Sequence, residues 1–340
     1  MFCCGNCFSD RFLSSQIVTE SPQKGDCSFC GCKFVDLAAP ETLADIFQQV
    51  IDLYGVSEDD AAFSLVALLK KDWSLFDTLD DDKSFAILDA IYPGTDFKSK
   101  KYLPKMYPDS VRIINWNAFR EELKHKNRYF PKQIPDLDHL ENLLDFVILP
   151  TDEQPKLMYR ARCNTENEAY SKEEMKKPPE KLVGGGRANP HGIPYLYAAS
   201  DPETAIAEIR PHKSDWVSVA KIEVSGELNL LDLRSPRKTI SPFALDEDDL
   251  SQLYMDIEYL CRLGEELEKP ILPREANLEY LPTQYLSEFI KHSGFDGVVY
   301  KSSVGNGVNY AIFNDDQLEI VGVQLYDITD VSIEAEERVV

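Results

Sequence analysis

The sequence predicts an α+β protein, in which a mainly helical part precedes a domain rich in short strands. From Pro40, apolar residues recur at helical spacing, as in ETLADIFQQVIDLYG, where Leu43, Phe47 and Val50 would share one buried face. From about residue 157, short β-type runs alternate with loops. Helical and strand-rich stretches that are segregated along a chain are typical of the α+β class.

Seven segments of the second half have the composition of strands. They are KLMYRAR, YLYAA, WVSVAKIEV, LNLLDL, GVVYKSS, NYAIFN and LEIVGVQLYDIT. One long helical stretch among them, DEDDLSQLYMDIEYLCRLGEELEK, carries so many acids that we expect it to present a solvated face. This part of the chain is therefore predicted to form a mixed β core with helices.

Changes in composition divide the chain into four parts. A stretch rich in Pro and acids near residue 150 indicates a domain boundary. We predict a zinc-ribbon-like, Cys-rich module at 1–38, a mainly helical domain at 39–150, an α+β domain at 151–330 and a loose tail at 331–340.

The charge of the chain argues against some classes of function. Asp and Glu outnumber Lys and Arg by 59 to 36, which gives a formal net charge of −23. Nucleic-acid binding needs clustered basic side chains, so we expect no nucleic-acid partner. No apolar run approaches the roughly 18 residues of a membrane helix, and the N-terminus lacks a signal-peptide pattern. We expect a soluble, cytoplasmic protein without a membrane partner. The sequence leaves the oligomeric state open, and a homo-oligomer is possible.

The cysteines cluster at the N-terminus. Six of the eight fall within the first 32 residues, and two CxxC pairs, Cys4 with Cys7 and Cys27 with Cys30, have the spacing of zinc knuckles. Four thiolates leave no open coordination position, so this pattern predicts a structural Zn²⁺ site and not a catalytic one. Cys3 and Cys32 flank the pairs, but the x2 spacing favours the other four.

One short stretch, GGGRANPHGIPYLYAASDPETAIAEIRP at residues 184–211, brings together unusual residue types. Its three glycines allow a ligand close to the main chain, and Arg187 follows them. Tyr197 lies on a predicted strand. Asp201 has the signature of a helix N-cap with proline after it, which puts Glu208 about two turns into a helix.

These side chains match the chemistry of a nicotinamide dinucleotide. Arginine binds phosphates, tyrosine offers a flat ring, and a carboxylate stabilises the positive charge that develops on the ribose when the bond to nicotinamide breaks. Structural alternatives stay open at this point: Arg187 could form an ion pair with Glu208, and Tyr197 could be a core residue.

Four blocks in the right order carry a family resemblance. They are YRAR, GGRANPHGIPYLYAASDPETAIAEI, SGFDGVVYKSS and GVNYAIFN. With them, residues 157–325 resemble the RES domain, which is named for an arginine, a glutamate and a serine. Its members are bacterial toxins that have an ADP-ribosyltransferase-like fold and consume NAD.

The resemblance implies a role for each motif residue. Arg160 and Arg187 would hold the dinucleotide, and Tyr197 would lie on or beside its nicotinamide end. Glu208 would act on the ribose and Ser302 would complete the pocket. Arg160, Glu208 and Ser302 are thus the expected catalytic residues, and Arg187 and Tyr197 are the expected NAD-binding residues.

The expected function is cleavage of the nicotinamide–ribose bond of NAD, by hydrolysis or phosphorolysis, in a toxin or a stress or defence effector. The family also implies a protein antitoxin, or a regulator, as a partner. Attachment of ADP-ribose to a protein is the first alternative, and a zinc-ribbon adaptor without catalysis is another.

The first 150 residues resemble an N-terminal region of some RES and HEPN-type proteins, for which we expect a sensing, docking or autoinhibitory role. They contain Arg120 and His125 at the spacing of a small RNase motif found on helical bundles. An HEPN-like RNase is therefore a further alternative. The other interpretation of Arg120 and His125 is that they lie on a solvated face of a helix.

Overall fold

A computed structural model describes most of the chain. The described residues are 1–21, 23–108, 110–272 and 274–332. All of the predicted tail except residues 331 and 332 lies outside them. The predicted domain boundaries after residues 38 and 150 remain predictions.

The described part of the chain contains eleven α-helices and eleven β-strands. Helices α1–α11 lie at Arg11–Glu20, Ala44–Ile51, Leu65–Trp73, Asp81–Ile91, Ser110–His125, Leu137–Leu144, Pro202–Glu208, Pro236–Thr239, Glu247–Glu268, Ala276–Glu279 and Leu281–His292. Strands β1–β11 lie at Gln23–Gly25, Val35–Leu37, Tyr54–Val56, Tyr102–Pro104, Leu157–Asn164, Leu196–Ala199, Trp216–Val224, Leu230–Asp232, Gly297–Lys301, Val308–Ile312 and Leu318–Asp327. None of these helices combines the length and the apolar character needed to span a membrane.

The chain forms two compact units, and each unit is built from two segments. Unit 1 comprises Met1–Ser110 and Ser235–Cys261, and unit 2 comprises Val111–Arg234 and Arg262–Val340. Each unit therefore depends on contacts between residues that are far apart in the sequence.

An aromatic cluster forms the core of unit 1. The ring of Phe47, on α2, packs against those of Phe8, Phe76 and Phe243, with ring centroids 4.7–6.3 Å apart. Aromatic pairs of this kind each contribute about 0.5–1.5 kcal/mol beyond the burial of apolar area. Phe243 belongs to the second segment of unit 1, so this cluster joins the two segments.

A buried polar group also joins the two segments. Asp72, at the end of α3, is only 6% exposed. Its Oδ2 accepts hydrogen bonds from the hydroxyls of Tyr54, at 3.0 Å, and Tyr254, at 3.1 Å. Arg237 donates from Nη1 to the backbone carbonyl of Asp72 at 2.9 Å. Because a buried carboxylate without partners is costly, these donors account for an aspartate at this position.

The acidic stretch that we expected to present a solvated face forms α9. Its first acids, Glu247, Asp248 and Asp249, are exposed, but another face of the helix is buried. Leu250, Leu253, Tyr254 and Ile257 are each at most 1% exposed, and Asp256 beside them is also buried. These apolar residues recur at i, i+3, i+4 and i+7, the spacing of a helix face that packs on a core.

Unit 2 is built on a seven-stranded mixed sheet. Its strand order is β11-β7-β5-β6-β10-β9-β8, with antiparallel pairs except for the parallel pair of β8 and β9. Each of the seven predicted strand segments contributes one strand. The predicted α+β class, with a mixed β core in the second half, is confirmed.

The sheet opens between β5 and β6. These strands pair at a single position, Tyr159 with Ala199, whereas β5 pairs with β7 over its whole length. Beyond that position Arg160 donates from Nη1 to the carbonyl of Tyr197 at 3.0 Å. Its guanidinium thus satisfies a β6 carbonyl that a neighbouring strand would otherwise pair. The opening leaves room for a cleft.

Candidate active site and metal centre

A cleft of about 750 Å³ lies in unit 2 at this opening. This volume is within the range of small-molecule sites. Four arginines line it, namely Arg160, Arg162, Arg187 and Arg210, and Glu208 is the one carboxylate among its described lining residues. A basic cleft in a chain of net charge −23 favours an anionic ligand of low molecular weight.

The carboxylate of Glu208 is held in place by two side chains from other elements. Ser302 donates from its hydroxyl to Glu208 Oε1 at 2.6 Å, and Asn309 donates from Nδ2 to the same oxygen at 2.6 Å. Glu208 as a residue is exposed, although its neighbours in the sequence are apolar. Both hydrogen bonds fall on one oxygen, which leaves Oε2 directed to a ligand or to solvent.

Helix α7 delivers Glu208 to the cleft. As predicted, Asp201 is the N-cap: its carboxylate accepts from the backbone N–H of Thr204 at 2.7 Å, and Pro202 follows. The helix ends at Glu208. Two residues later Arg210 has φ of 49°, in the left-handed region that non-glycine residues seldom adopt, and this turns its side chain toward the cleft.

The turn between β9 and β10 positions Ser302. The backbone N–H of Gly305 donates to Ser302 Oγ at 2.8 Å, so the hydroxyl proton is directed to Glu208. Gly307 packs against the N-cap of α7: a Cβ there would lie 2.2 Å from Asp201 Oδ2 and 2.5 Å from Thr204 Oγ1. A side chain at position 307 would therefore separate the serine turn from the helix that carries the glutamate.

Arg160 lies on β5 at the floor of the cleft. Burial lowers the pKa of its guanidinium to about 10, so it remains charged at neutral pH. One Nη1 hydrogen bond goes to the Tyr197 carbonyl, and its buried Nε has no hydrogen-bond partner among the described residues. A buried donor without a partner is costly, and an anionic ligand would supply the acceptor.

The glycine-rich loop carries Arg187, which also lines the cleft. Arg187 Nη1 donates to the carbonyl of Lys269 at 2.7 Å, and its guanidinium lies 5.4 Å from the ring centroid of Tyr280. At Gly186 a Cβ would lie 2.4 Å from Asn189 Oδ1 and 2.8 Å from the Tyr197 hydroxyl. Glycine is required there because the loop turns tightly over these groups. Arg187 makes no ion pair with Glu208, which removes that structural alternative.

Tyr197 has a structural contact as well as a place in the cleft. Its hydroxyl accepts from the backbone N–H groups of Ala188, at 2.9 Å, and Asn189, at 3.1 Å, and donates to Asn189 Oδ1 at 2.8 Å. Burial raises the pKa of this hydroxyl to about 12, so it stays protonated. The side chain therefore fixes the loop that carries Arg187 while it lines the cleft.

The structure brings the five predicted residues together. Arg160, Arg187, Tyr197 and Glu208 line the cleft, and Ser302 reaches it through Glu208. Their catalytic and binding roles remain predictions. Sequence reasoning missed further residues of the site, which are Asn309, Arg162, Arg210 and Tyr280. Arg162, Arg210 and Asn309 stood in segments that we quoted. Asn309 is identified as a site residue only by its hydrogen bond to Glu208.

The four predicted cysteines meet in unit 1. The Sγ atoms of Cys4 and Cys30 are 3.4 Å apart, as are those of Cys7 and Cys27, and all four lie within 4.8 Å of one another. A tetrahedral ion with metal–sulfur bonds of about 2.3 Å would hold sulfur atoms about 3.8 Å apart, which fits this group. Hydrogen bonds from other thiols, that of Cys7 above all, lower the pKa of the Cys4 thiol to about 5.

Arg120 and His125 do not form a common site. Arg120 is 8% exposed, and its guanidinium pairs with Glu266, at 3.1 Å, and Glu279, at 3.8 Å. The imidazole of His125 is exposed and lies 3.7 Å from Glu121. The prediction of a solvated helix face was thus wrong for Arg120, because this side chain is buried and pairs with two glutamates. The separate partners of the two side chains give no support to a nuclease.

The fold and the cleft together have one distinguishing feature. The mixed sheet opens at a cleft that contains a glutamate, held by a serine, and several arginines. The RES domain model matches residues 157–331, slightly more than half of the chain, and the chain therefore belongs to the RES domain family. The predicted resemblance is confirmed.

Two further comparisons are less informative. A chain of the M. tuberculosis MbcT–MbcA toxin–antitoxin complex is similar over 56% of this chain and 92% of that chain, with 16% sequence identity and a TM-score of 0.33. No curated protein matches this sequence. Membership of the RES family supports an enzyme that acts on NAD.

Proposed function

We propose that this RES-domain protein degrades NAD by cleaving the bond between nicotinamide and ribose, and that it acts as a toxin or as a stress or defence effector. One observation carries the proposal. The Glu208 carboxylate, held through one oxygen by Ser302 and Asn309, lies in a cleft that arginines otherwise line. Dinucleotide cleavage needs this combination of one negative charge and several positive ones.

The bond that breaks joins C1′ of the ribose to the ring nitrogen of nicotinamide. Its electron pair moves to the ring, which loses its positive charge and leaves as neutral nicotinamide without needing a proton. Positive charge develops on the ribose as an oxocarbenium ion. The carboxylate of Glu208 stabilises that charge, and because Ser302 and Asn309 already hold it, little reorganisation is needed in the transition state.

The arginines bind the dinucleotide. Arg160, with its unpartnered Nε, and Arg187, which also lines the cleft, hold the pyrophosphate and so position the ribose against the carboxylate. Tyr197 offers its ring to the nicotinamide end while its hydroxyl keeps the arginine-bearing loop in place. In this assignment Arg160, Glu208 and Ser302 contribute to catalysis, and Arg187 and Tyr197 contribute to binding.

A nucleophile completes the reaction at C1′. With water the products are ADP-ribose, nicotinamide and one proton. With inorganic phosphate they are ADP-ribose carrying a phosphate ester at C1′ and nicotinamide. If the nucleophile is a protein side chain, ADP-ribose is attached to that protein. The exposed position of Glu208 leaves the cleft accessible to each of these acceptors.

The cysteine group is proposed to hold a structural Zn²⁺. Cys4, Cys7, Cys27 and Cys30 supply four thiolates, the ligand set that Zn²⁺ takes in closed structural sites. Bound zinc would cross-link two chain segments that are about twenty residues apart and would stabilise the start of unit 1.

A protein partner that covers the cleft is also proposed. RES toxins, as the sequence resemblance implies, are held in check by an antitoxin. In this chain, the carboxylate and Arg210 are both exposed at the cleft, within reach of such a partner. Binding of this kind would compete with NAD for the same arginines.

The test is to incubate the purified full chain with NAD, with and without phosphate, and to identify the products by mass. We expect release of nicotinamide, together with either ADP-ribose or its phosphate ester. A mass increase on protein, without free ADP-ribose, would favour the transferase. No release of nicotinamide under either condition would contradict the proposed function.

A further inference from the structure

A second cavity, of about 260 Å³, shares a wall with the cleft in unit 2. Ala276 and Tyr280 line both cavities. The glycine-rich loop also runs along both, because Gly185 lines the second cavity and Arg187 lines the cleft. Two residues span at most about 7 Å, so the second cavity begins next to the proposed pyrophosphate-binding arginine.

The chemistry of the second cavity differs from that of the cleft. Its polar lining consists of Arg128, His191, Asn277 and Gln284 together with the Tyr280 hydroxyl, and Leu278 contributes apolar surface. No carboxylate is among its lining residues in the part of the chain that the structure describes. This lining suits a nucleoside joined to a phosphate. The amides, the imidazole and the aromatic ring can contact the nucleoside, and the guanidinium can contact the phosphate.

These polar groups are available to a ligand. Arg128, His191 and Asn277 have no side-chain hydrogen bond or ion pair with any described residue. Gln284 donates from Nε2 to the carbonyl of Gly186 at 2.8 Å, which leaves its Oε1 as an acceptor. At Gly185 a Cβ would lie 3.0 Å from Cδ2 of the His191 ring, so the glycine allows that imidazole to lie against the loop.

Arg128 is presented by a loop of defined structure. The side chain of Asn127 forms two hydrogen bonds with the backbone of Phe130: its Nδ2 donates to the carbonyl, and its Oδ1 accepts from the N–H. Glu122 accepts from the backbone N–H groups of Lys132, at 2.9 Å, and Gln133, at 3.2 Å. A fixed loop reduces the entropy that a ligand loses in ordering its partner. Arg128 precedes the residues matched by the RES domain, so it is a feature that this chain adds to the family domain.

We propose that the second cavity binds the adenylate end of NAD, with Arg128 contacting the phosphate next to adenosine and the side-chain amides of Asn277 and Gln284 contacting the base. This inference rests on the proposed function, since it takes NAD as the ligand. The nicotinamide end then occupies the cleft beside Glu208, and the pyrophosphate lies on Arg160 and Arg187, in the part of the cleft next to the shared residues Ala276 and Tyr280.

Direct binding of two half-ligands to the full chain tests the inference. AMP represents the adenylate end and nicotinamide mononucleotide represents the other, and calorimetry measures the Kd of each. We expect Arg128→Ala to raise the Kd of AMP at least about tenfold, because it removes a charge-assisted hydrogen bond, and to leave that of nicotinamide mononucleotide unchanged. Asn277→Ala should act in the same direction. Arg274→Ala is the matched control, because that exposed arginine lines neither cavity.

The outcomes separate this inference from the proposed function. AMP that fails to bind the wild-type chain, or that binds both cavity variants as well as the wild type, overturns the adenylate subsite. Equal weakening of both half-ligands overturns it as well. Binding of AMP that depends on Arg128, in a chain that releases no nicotinamide from NAD, would support the subsite and contradict the proposed activity.

Discussion

Replacement of Glu208 by glutamine is the sharpest perturbation of the proposed site. Glutamine has the shape of glutamate, and its Oε1 can still accept the hydrogen bonds that Ser302 and Asn309 donate at 2.6 Å. The ground-state geometry is therefore kept. The substitution removes the negative charge and turns an amide group, in place of Oε2, toward the ribose.

The size of the effect follows from the charge that is lost. A carboxylate about 4 Å from a developing unit positive charge interacts with it by about 4 kcal/mol at an effective dielectric constant of 20. The charge on the ribose is only partial in the transition state, and removal of comparable preorganised groups lowers kcat by about 10²–10³. We expect a decrease of that size in kcat with little change in KM, because the charge acts mainly in the transition state.

The assay is nicotinamide release from NAD under saturating conditions, with thermal unfolding as a check of the fold. Glu203→Gln is the matched control, because Glu203 is an exposed glutamate of the same helix and does not line the cleft. A Glu208→Gln protein that keeps more than about a tenth of the wild-type kcat, a loss below about 1.4 kcal/mol, would refute this reasoning.

Three further predictions concern groups around the site and the fold. Asn309→Ala should lower kcat about 10–100-fold, because the Glu208 carboxylate loses one of its two donors; unchanged kcat in the nicotinamide assay would show that Ser302 alone suffices. Cys7→Ser should reduce the metal content measured by mass spectrometry and lower the Tm, and an unchanged Tm would exclude a structural ion. Arg120→Leu should destabilise the fold by about 1–3 kcal/mol in urea unfolding, because the buried Glu266 loses one of its two arginine partners and keeps only Arg262; a loss below about 0.5 kcal/mol would contradict this.

The sequence was informative wherever structure depends on local signals. The strands of unit 2 were predictable because β-branched and aromatic residues alternate between turn residues. The start of α7 was predictable because the Asp201 cap and the proline after it act within one turn. The order of the motif blocks then sufficed for the family, and it placed Arg160, Glu208 and Ser302 together before any distance was known.

Other features depend on partners that are distant in the sequence. Arg120 can be buried because it pairs with Glu266 and Glu279, which lie more than a hundred residues later in the sequence. No local sequence pattern predicts such a pair. Asn309 belongs to the site only through its contact with Glu208, since an asparagine in a strand has no special signature. Arg128 lies upstream of the family domain and could be linked to a cavity only by the fold.

Unit 1 has a consequence for the synthesis of the protein. Its first segment ends at Ser110, and the segment that completes its core begins at Ser235, so about 125 residues separate them. At roughly 5–20 residues per second, the ribosome needs about 6–25 s to produce them. During that time the ring of Phe47 lacks Phe243, and Asp72 lacks Tyr254. The nascent chain therefore exposes an incomplete apolar core until the second segment arrives.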